Sequence, residues 1–199
     1  MIRVAHPEAN IPVSTGDGHR LPAGDALEGP AVPDVRVPRQ ELDRMTHAPA
    51  RFDALVGEDG QAFVLEKTVT LGDPGVAEQR VTPTWPHHLP GELTIALTGQ
   101  AGVIAARRAG LIGEGWRGHG VRIVDARFSA PVLVGERFFT RVEIGRVRRI
   151  GRSVHVQFRF RMWKVDAEDG EVETYRSEQH AIFFPPEEDG GPGKSRSDA

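Results

Sequence analysis

Residues 93–106 read LTIALTGQAGVIAA and carry no charged side chain over 14 consecutive positions. Pro90-Gly91 precedes this stretch, and Arg107-Arg108 followed by Gly110 closes it, as is typical of the C-terminal end of a helix. A helix that is apolar on every side must be buried on every side. We therefore predict one long central helix, with Gly99 in close contact with whatever packs against it.

Alternating apolar residues around this helix predict strands at 61–71, 119–128, 136–147, 152–163 and 171–184. The clearest of these is 152–163, where Val154, Val156, Phe158, Phe160 and Met162 share one parity. The order of one helix followed by a run of strands is typical of the α+β class. The economical solution is a curved antiparallel sheet wrapped around the central helix. We expect Trp163 and Tyr175 on the outward face of that sheet.

Composition restricts the kinds of function. The 199 residues include 25 basic and 28 acidic residues, which is too acidic for a typical nucleic-acid-binding domain. The absence of cysteine excludes a thiol nucleophile and a cysteine-ligated metal. No apolar run is long enough to span a membrane, and the first residues lack the apolar core of a secretory signal. We predict a cytoplasmic protein with no bound metal.

Proline and glycine interrupt residues 1–36, and residues 187–199 are polar. Neither segment has enough apolar surface to offset the entropy lost on ordering. We predict disordered tails at 1–36 and 187–199 around one domain at 37–186.

Three sets of residues, spread over roughly residues 40–185, resemble known protein families. His88-Leu89-Pro90-Gly91 with Gln100-Ala101-Gly102 resembles the loop and central helix of β-hydroxyacyl-acyl-carrier-protein dehydratases and of A-factor-synthase hotdog domains. The stretch 124–136, VDARFSAPVLVGE, resembles the third segment of the hotdog-fold superfamily, to which these domains belong. His87 with Glu92-Leu93 resembles the long-chain acyl-CoA thioesterase branch. The resemblance implies a homodimer or a dimer of dimers, with an acyl-thioester site where two subunits meet.

The sequence departs from the dehydratases at both of their catalytic positions. Ala96 stands where the resemblance places a catalytic glutamate, and the catalytic histidine would fall near Thr82, a position without a histidine. We therefore predict a thioesterase that acts on a fatty or polyketide-type acyl-CoA or acyl carrier protein. Dehydration or hydration of a hydroxyacyl thioester in a rearranged site is the second hypothesis. A non-catalytic acyl-binding protein is the third.

The candidate catalytic residues are Glu92 and His88, either of which could activate water as a general base. We place Gly91, Leu93, Ala96, Gln100 and His87 at the substrate, because backbone amides at a helix start stabilise a developing negative charge. Structural roles remain open for each. The histidines could bond only to backbone, Glu92 could cap the helix, and Gln100 could join two subunits. No cofactor is predicted beyond the coenzyme A or phosphopantetheine of the substrate.

Overall fold

The computed structural model describes residues 32–49, 51–166 and 170–186. Within them the chain forms a seven-stranded antiparallel sheet, a long helix and a short one. The sheet order is β1-β2-β3-β5-β6-β7-β4. The elements in chain order are β1 (Asp34–Pro38), α1 (Arg39–Asp43), β2 (Ala54–Glu58), β3 (Ala62–Thr68), α2 (Gly91–Arg108), β4 (Arg117–Phe128), β5 (Arg137–Ile150), β6 (Ser153–Asp166) and β7 (Gly170–Phe184).

Helix α2 packs in the curve of the sheet, as the sequence predicted. Leu97, Ala101 and Ile104 are fully buried on the helix face that meets the strands. Opposite them, alternate residues of β6 from Val154 to Met162 are at most 2% exposed. These side chains form the core, so the predicted α+β architecture with one wrapped central helix is confirmed.

Burial of α2 is not complete on every side, which differs from the prediction. Ile95 is 39% exposed, and a Cβ added at Gly99 would find no heavy atom within 4 Å. Gly102 makes the close approach instead, since a Cβ there would lie 3.4 Å from the Phe158 ring. One stripe of the uncharged helix, formed by Ile95, Ala96, Gly99 and Val103, is therefore exposed or only half-buried in the single chain.

Strand β4 forms one edge of the sheet, and its apolar residues face outward. Val121, Ile123 and Phe128 are 59%, 43% and 56% exposed. Strand β4 pairs with β7, so its other edge has no partner strand among the residues that the structure describes. Long, apolar, unpaired edges are a ready template for pairing with another chain.

The first strands were not predicted. Strand β1 begins at Asp34, inside the segment 1–36 that we expected to be a tail, and pairs with β2. The rest of that expectation, residues 1–31, and the tail at 187–199 lie outside the described residues. In the described ranges, no helix is long and apolar enough to span a membrane.

Candidate active site

A cleft of about 370 Å³ opens at the start of helix α2. Its walls come from the loop before the helix, the first turn of α2, residues 128–132, and facing positions of β6 and β7. His88 and Gly91 line this cleft, so two of the residues predicted from sequence lie together in it. Trp85 and Phe128 add aromatic walls.

Backbone and side-chain hydrogen bonds fix the loop that carries His88. The Leu89 amide donates to the Val132 carbonyl at 2.8 Å. The Gln79 side chain clamps the His88 backbone: its Oε1 accepts from the His88 amide at 3.0 Å, and its Nε2 donates to the His88 carbonyl at 2.9 Å. The imidazole is therefore presented from a backbone with little freedom to move.

The hydrogen bond of His88 determines which ring nitrogen carries its proton. Nδ1 lies 3.0 Å from the Pro86 carbonyl oxygen, which only accepts, so Nδ1 is the donor in the neutral ring. Nε2 is then the unprotonated nitrogen, and it has no hydrogen-bond partner within the described part of the chain. The Trp85 ring packs edge-on against the imidazole, with centroids 5.2 Å apart. His88 thus offers a free basic nitrogen beside the cleft.

The start of α2 leaves backbone donors unpaired. Pro90 precedes the helix and provides no side-chain cap. The amides of Gly91, Glu92 and Leu93 have no partner within the helix, and the first intrahelical bond runs from the Thr94 amide to the Pro90 carbonyl at 2.9 Å. Partial positive charge at this end of the helix favours an anionic oxygen.

Other predicted residues take different places. The His87 Nδ1 lies 2.8 Å from the Val76 carbonyl oxygen, which ties the loop to a neighbouring turn. The Leu93 side chain is 5% exposed and belongs to the core. Glu92 and Ala96 are exposed. Within the described ranges, the Glu92 side chain takes part in no hydrogen bond or ion pair, and Glu92 does not line the cleft at the start of α2.

Gln100 holds a loop of its own chain. Its Oε1 accepts from the Arg51 amide at 2.7 Å, and its Nε2 donates to the Pro49 carbonyl at 3.2 Å. Gln100 also lines a second cleft of about 290 Å³ between α2 and the first residues of β4. Gln100 and His88 therefore line different clefts.

The sequence did not indicate Thr174 and Tyr175, which line the first cleft from β7. The prediction that Tyr175 faces outward is wrong, because the residue is fully buried. Tyr175 shares its strand parity with Ser177 and Phe183, which are also buried. Both parities of residues 171–176 carry polar side chains, so alternation alone gave no signal for the inward face.

Two carboxyl groups whose pKa values are lowered, those of Asp59 and Glu178, do not line this cleft. Amide donors, first from Ala62 and then from Gln61, lower the pKa of the Asp59 carboxyl in the β2–β3 turn. A hydrogen bond from Gln157, supported by His180, lowers the pKa of Glu178. In the part of the chain that the structure describes, no cluster of three or more His, Cys, Asp or Glu residues could hold a metal ion.

Comparison with known proteins gives structural similarity only. No protein-family model matches the sequence, and no curated protein matches it significantly. A hypothetical protein of Thermus thermophilus from the thioesterase superfamily is 21% identical, with 64% of this chain and 84% of that chain covered and a TM-score of 0.45. A mutant thioesterase of Pseudomonas aeruginosa is 12% identical, with coverages of 75% and 95% and a TM-score of 0.49.

A dehydratase heterocomplex of Xenorhabdus doucetiae is 16% identical, with coverages of 73% and 91% and a TM-score of 0.49. At these identities and TM-scores the similarities show nothing about the reaction. The seven antiparallel strands curved around helix α2 have the architecture that the motifs at 88–91 and 124–136 predicted. The chain therefore has the hotdog fold.

Proposed function

We propose that this chain hydrolyses an acyl thioester in the cleft at the start of α2. The observation that carries the proposal is His88, whose Nδ1 is held by the Pro86 carbonyl and whose Nε2 is unpartnered in the described part of the chain. A neutral imidazole with a free Nε2 is suited to take a proton from water. Water then attacks the thioester carbonyl carbon, and the protonated imidazole returns the proton to the departing thiolate.

Stabilisation of the oxyanion comes from backbone. The amides of Gly91, Glu92 and Leu93 have no intrahelical partner, and Gly91 itself lines the cleft. Donors that are fixed before the reaction stabilise a developing negative charge without reorganising. The mechanism needs only water and these protein groups, with coenzyme A or phosphopantetheine entering as part of the substrate.

Between the two candidate bases, the geometry favours His88. Glu92 is exposed and is not part of the cleft wall in the single chain. Its position in the first turn of α2 suits interaction with the helix dipole. We assign Glu92 that role and expect its removal to change turnover little.

We also propose that the protein is a homodimer that binds acyl-CoA or an acyl carrier protein. Support comes from two apolar surfaces that are exposed in the single chain. One is the unpaired edge of β4 with Val121 and Ile123, and the other is the α2 stripe around Ile95 and Gly99. The second cleft lies between α2 and β4, so a partner subunit seated on both surfaces would close it.

A panel of acyl-CoA substrates tests the proposed reaction. Hydrolysis releases free coenzyme A thiol, dehydration of a hydroxyacyl-CoA produces absorbance of the enoyl thioester, and simple binding produces neither. We expect thiol release that is lost when His88 is replaced. Enoyl formation without thiol release would contradict hydrolysis in favour of dehydration, and binding without turnover would contradict both reactions.

A further inference from the structure

Two residues that line the first cleft, Thr174 and Tyr175, carry buried hydroxyl groups that the proposed chemistry does not use. Thr174 and Tyr175 are 4% and 0% exposed, and both line the cleft. Neither Thr174 Oγ1 nor the Tyr175 hydroxyl has a hydrogen-bond partner within the described residues. Most buried polar atoms in native proteins are paired, so each exception needs an explanation.

An irregularity in β7 places both residues on the same wall. Met162 of β6 pairs with Tyr175, but the next residue, Trp163, pairs with Glu173. Thr174 is therefore the extra residue of a β-bulge, where two residues of one strand face one residue of its neighbour. Consecutive side chains of a regular strand would point to opposite faces. Because of the bulge, Thr174 and Tyr175 are both buried at the cleft.

The Phe128 ring lies between the start of α2 and Tyr175. A Cβ added at Gly91 would lie 3.7 Å from the Phe128 ring. The centroid of that ring is 4.8 Å from the centroid of the Tyr175 ring. A ligand in the cleft could thus contact the helix amides at one end and the Thr174–Tyr175 wall at the other.

We infer that the Thr174 and Tyr175 hydroxyls bind an oxygen of the acyl group that is separate from the thioester carbonyl. This inference rests on the proposed hydrolysis, in which the helix amides hold the carbonyl oxygen. A hydroxyl both donates and accepts, so the pair suits a hydroxyl or an oxo group. The substrate class is then an acyl thioester with an oxygen substituent near the carbonyl, and unsubstituted acyl chains are disfavoured.

The expected discrimination against unsubstituted acyl chains arises because such a chain leaves the buried hydroxyls without a hydrogen-bond partner. A site that hydrogen-bonds a substrate oxygen strongly rejects the analogue that lacks it, because the polar groups of the protein then have no partner in the complex. An unsubstituted chain would lie against Thr174 and Tyr175 without satisfying either. Specificity would thus reside in the wall made by the bulge, and reactivity in His88 and the helix start.

The test compares butyryl-CoA with 3-hydroxybutyryl-CoA and 4-hydroxybutyryl-CoA, using the full chain. We expect wild type to prefer at least one hydroxyacyl substrate in kcat/KM by about tenfold or more. Tyr175→Phe and Thr174→Val should each remove most of that preference by lowering kcat/KM for the hydroxyacyl substrate. The kcat/KM for butyryl-CoA should rise in both variants, because no unpaired hydroxyl then lies against its unsubstituted chain.

Thr140→Val is the matched control. The Thr140 hydroxyl is also buried and without a partner among the described residues, but Thr140 lies on β5 and does not line the cleft. The control should therefore leave the preference intact. The unfolding free energy of Tyr175→Phe should equal that of wild type or exceed it, because no protein hydrogen bond is lost.

Several results would overturn the inference. If wild type hydrolyses all three substrates with equal kcat/KM, the inferred oxygen contact is overturned and the proposed hydrolysis stands. A loss of stability in Tyr175→Phe without a change in preference would show that the hydroxyl serves a partner within the protein. If wild type hydrolyses none of these thioesters, the proposed function fails for this panel. Binding is then measured by the fluorescence of Trp85, which lies in the cleft wall. An equal Kd for butyryl-CoA and both hydroxybutyryl-CoAs would overturn the hydroxyl contact. Tighter binding of a hydroxybutyryl-CoA that Tyr175→Phe abolishes would support it.

Discussion

Replacing Gly118 by alanine tests the pairing of the edge strand β4 with β7. Gly118 lies opposite Phe183 in this pairing, and an added Cβ would be 2.6 Å from Phe183 Cε1 and 2.8 Å from Cδ1. Nonbonded carbons need about 3.5 Å, so the ring would have to retreat by about 1 Å. Phe183 is 1% exposed and packs edge-on against Phe158, with ring centroids 6.3 Å apart. Because the Phe183 ring already packs against Phe158, we expect overpacking of about 1–3 kcal/mol.

Gly120→Ala is the matched control, two residues along the same strand and on the same side. A Cβ at Gly120 would have no heavy atom within 4 Å. Alanine there should be neutral or should stabilise the strand by up to about 1 kcal/mol, since glycine in a strand is unfavourable. Urea denaturation should show a lower midpoint for Gly118→Ala with an unchanged m value. The melting temperature should fall by roughly 2–4 °C for each kcal/mol.

A double-mutant cycle assigns the cost to the ring. In a Phe183→Leu background, which offers a smaller side chain opposite position 118, Gly118→Ala should cost less than in wild type. Equal stability of Gly118→Ala and Gly120→Ala would refute the register of β4 against β7. Equal costs of Gly118→Ala in the two backgrounds would also contradict the proposed clash.

Three further predictions concern other parts of the chain. Amide donors lower the pKa of Asp59, so its contribution to stability is present above the ordinary value of 3.8 and is lost as pH falls through the lower folded-state pKa. The melting-temperature difference between wild type and Asp59→Ala should therefore shrink toward zero in strong acid, and a difference that persists unchanged would contradict this. Gln100→Leu should lower the unfolding free energy by about 1–3 kcal/mol, because the Arg51 amide and the Pro49 carbonyl lose their partner. The kcat of this variant with an acyl-CoA should equal that of wild type. A large loss of kcat with normal stability would instead place Gln100 in the active site. Light scattering of wild type should give a mass of twice the 21.8 kDa chain, and Ile123→Lys on the β4 edge should give the mass of a single chain. A wild-type mass of a single chain at micromolar concentration would contradict the homodimer.

Sequence patterns predicted those parts of the fold whose periodicity is local and long. The uncharged run at 93–106 covers about four helical turns, and the alternation from Val154 to Met162 puts five apolar residues on one parity. Patterns of this length predict the local structure. Strands β1 and β2 have five residues each and carry too few alternations to stand out. Their place in the sheet depends on the pairing of β1 with β2 and of β2 with β3.

The orientation of α2 could not be predicted for a related reason. Residues 93–106 are uncharged on every side of the helix, so nothing local distinguishes the face of Gly99 from that of Gly102. Only the position of Phe158 on β6 shows that Gly102 approaches the sheet. Which face is covered is therefore a property of packing between distant segments.

The candidate site divides in the same way. His88 could be identified because it immediately precedes the Leu89-Pro90-Gly91 stretch that leads into the helix. Thr174 and Tyr175 could not, because their common orientation depends on how β7 pairs with β6 at Met162 and Trp163. A bulge is set by the register of two strands, which neither strand encodes alone.

The central claim is that His88 is the general base of an acyl-thioester hydrolase, and turnover of two variants tests it most directly. Thiol release from a good acyl-CoA substrate should be measured for wild type, His88→Gln and Glu92→Gln, with melting temperatures as a check on folding. We expect kcat of His88→Gln to fall by about 10²–10⁴ with a normal melting temperature, as for removal of a general base. Glu92→Gln should keep kcat within about threefold, since it changes only an exposed first-turn charge. Wild-type turnover by His88→Gln, or a loss confined to Glu92→Gln, would contradict the claim.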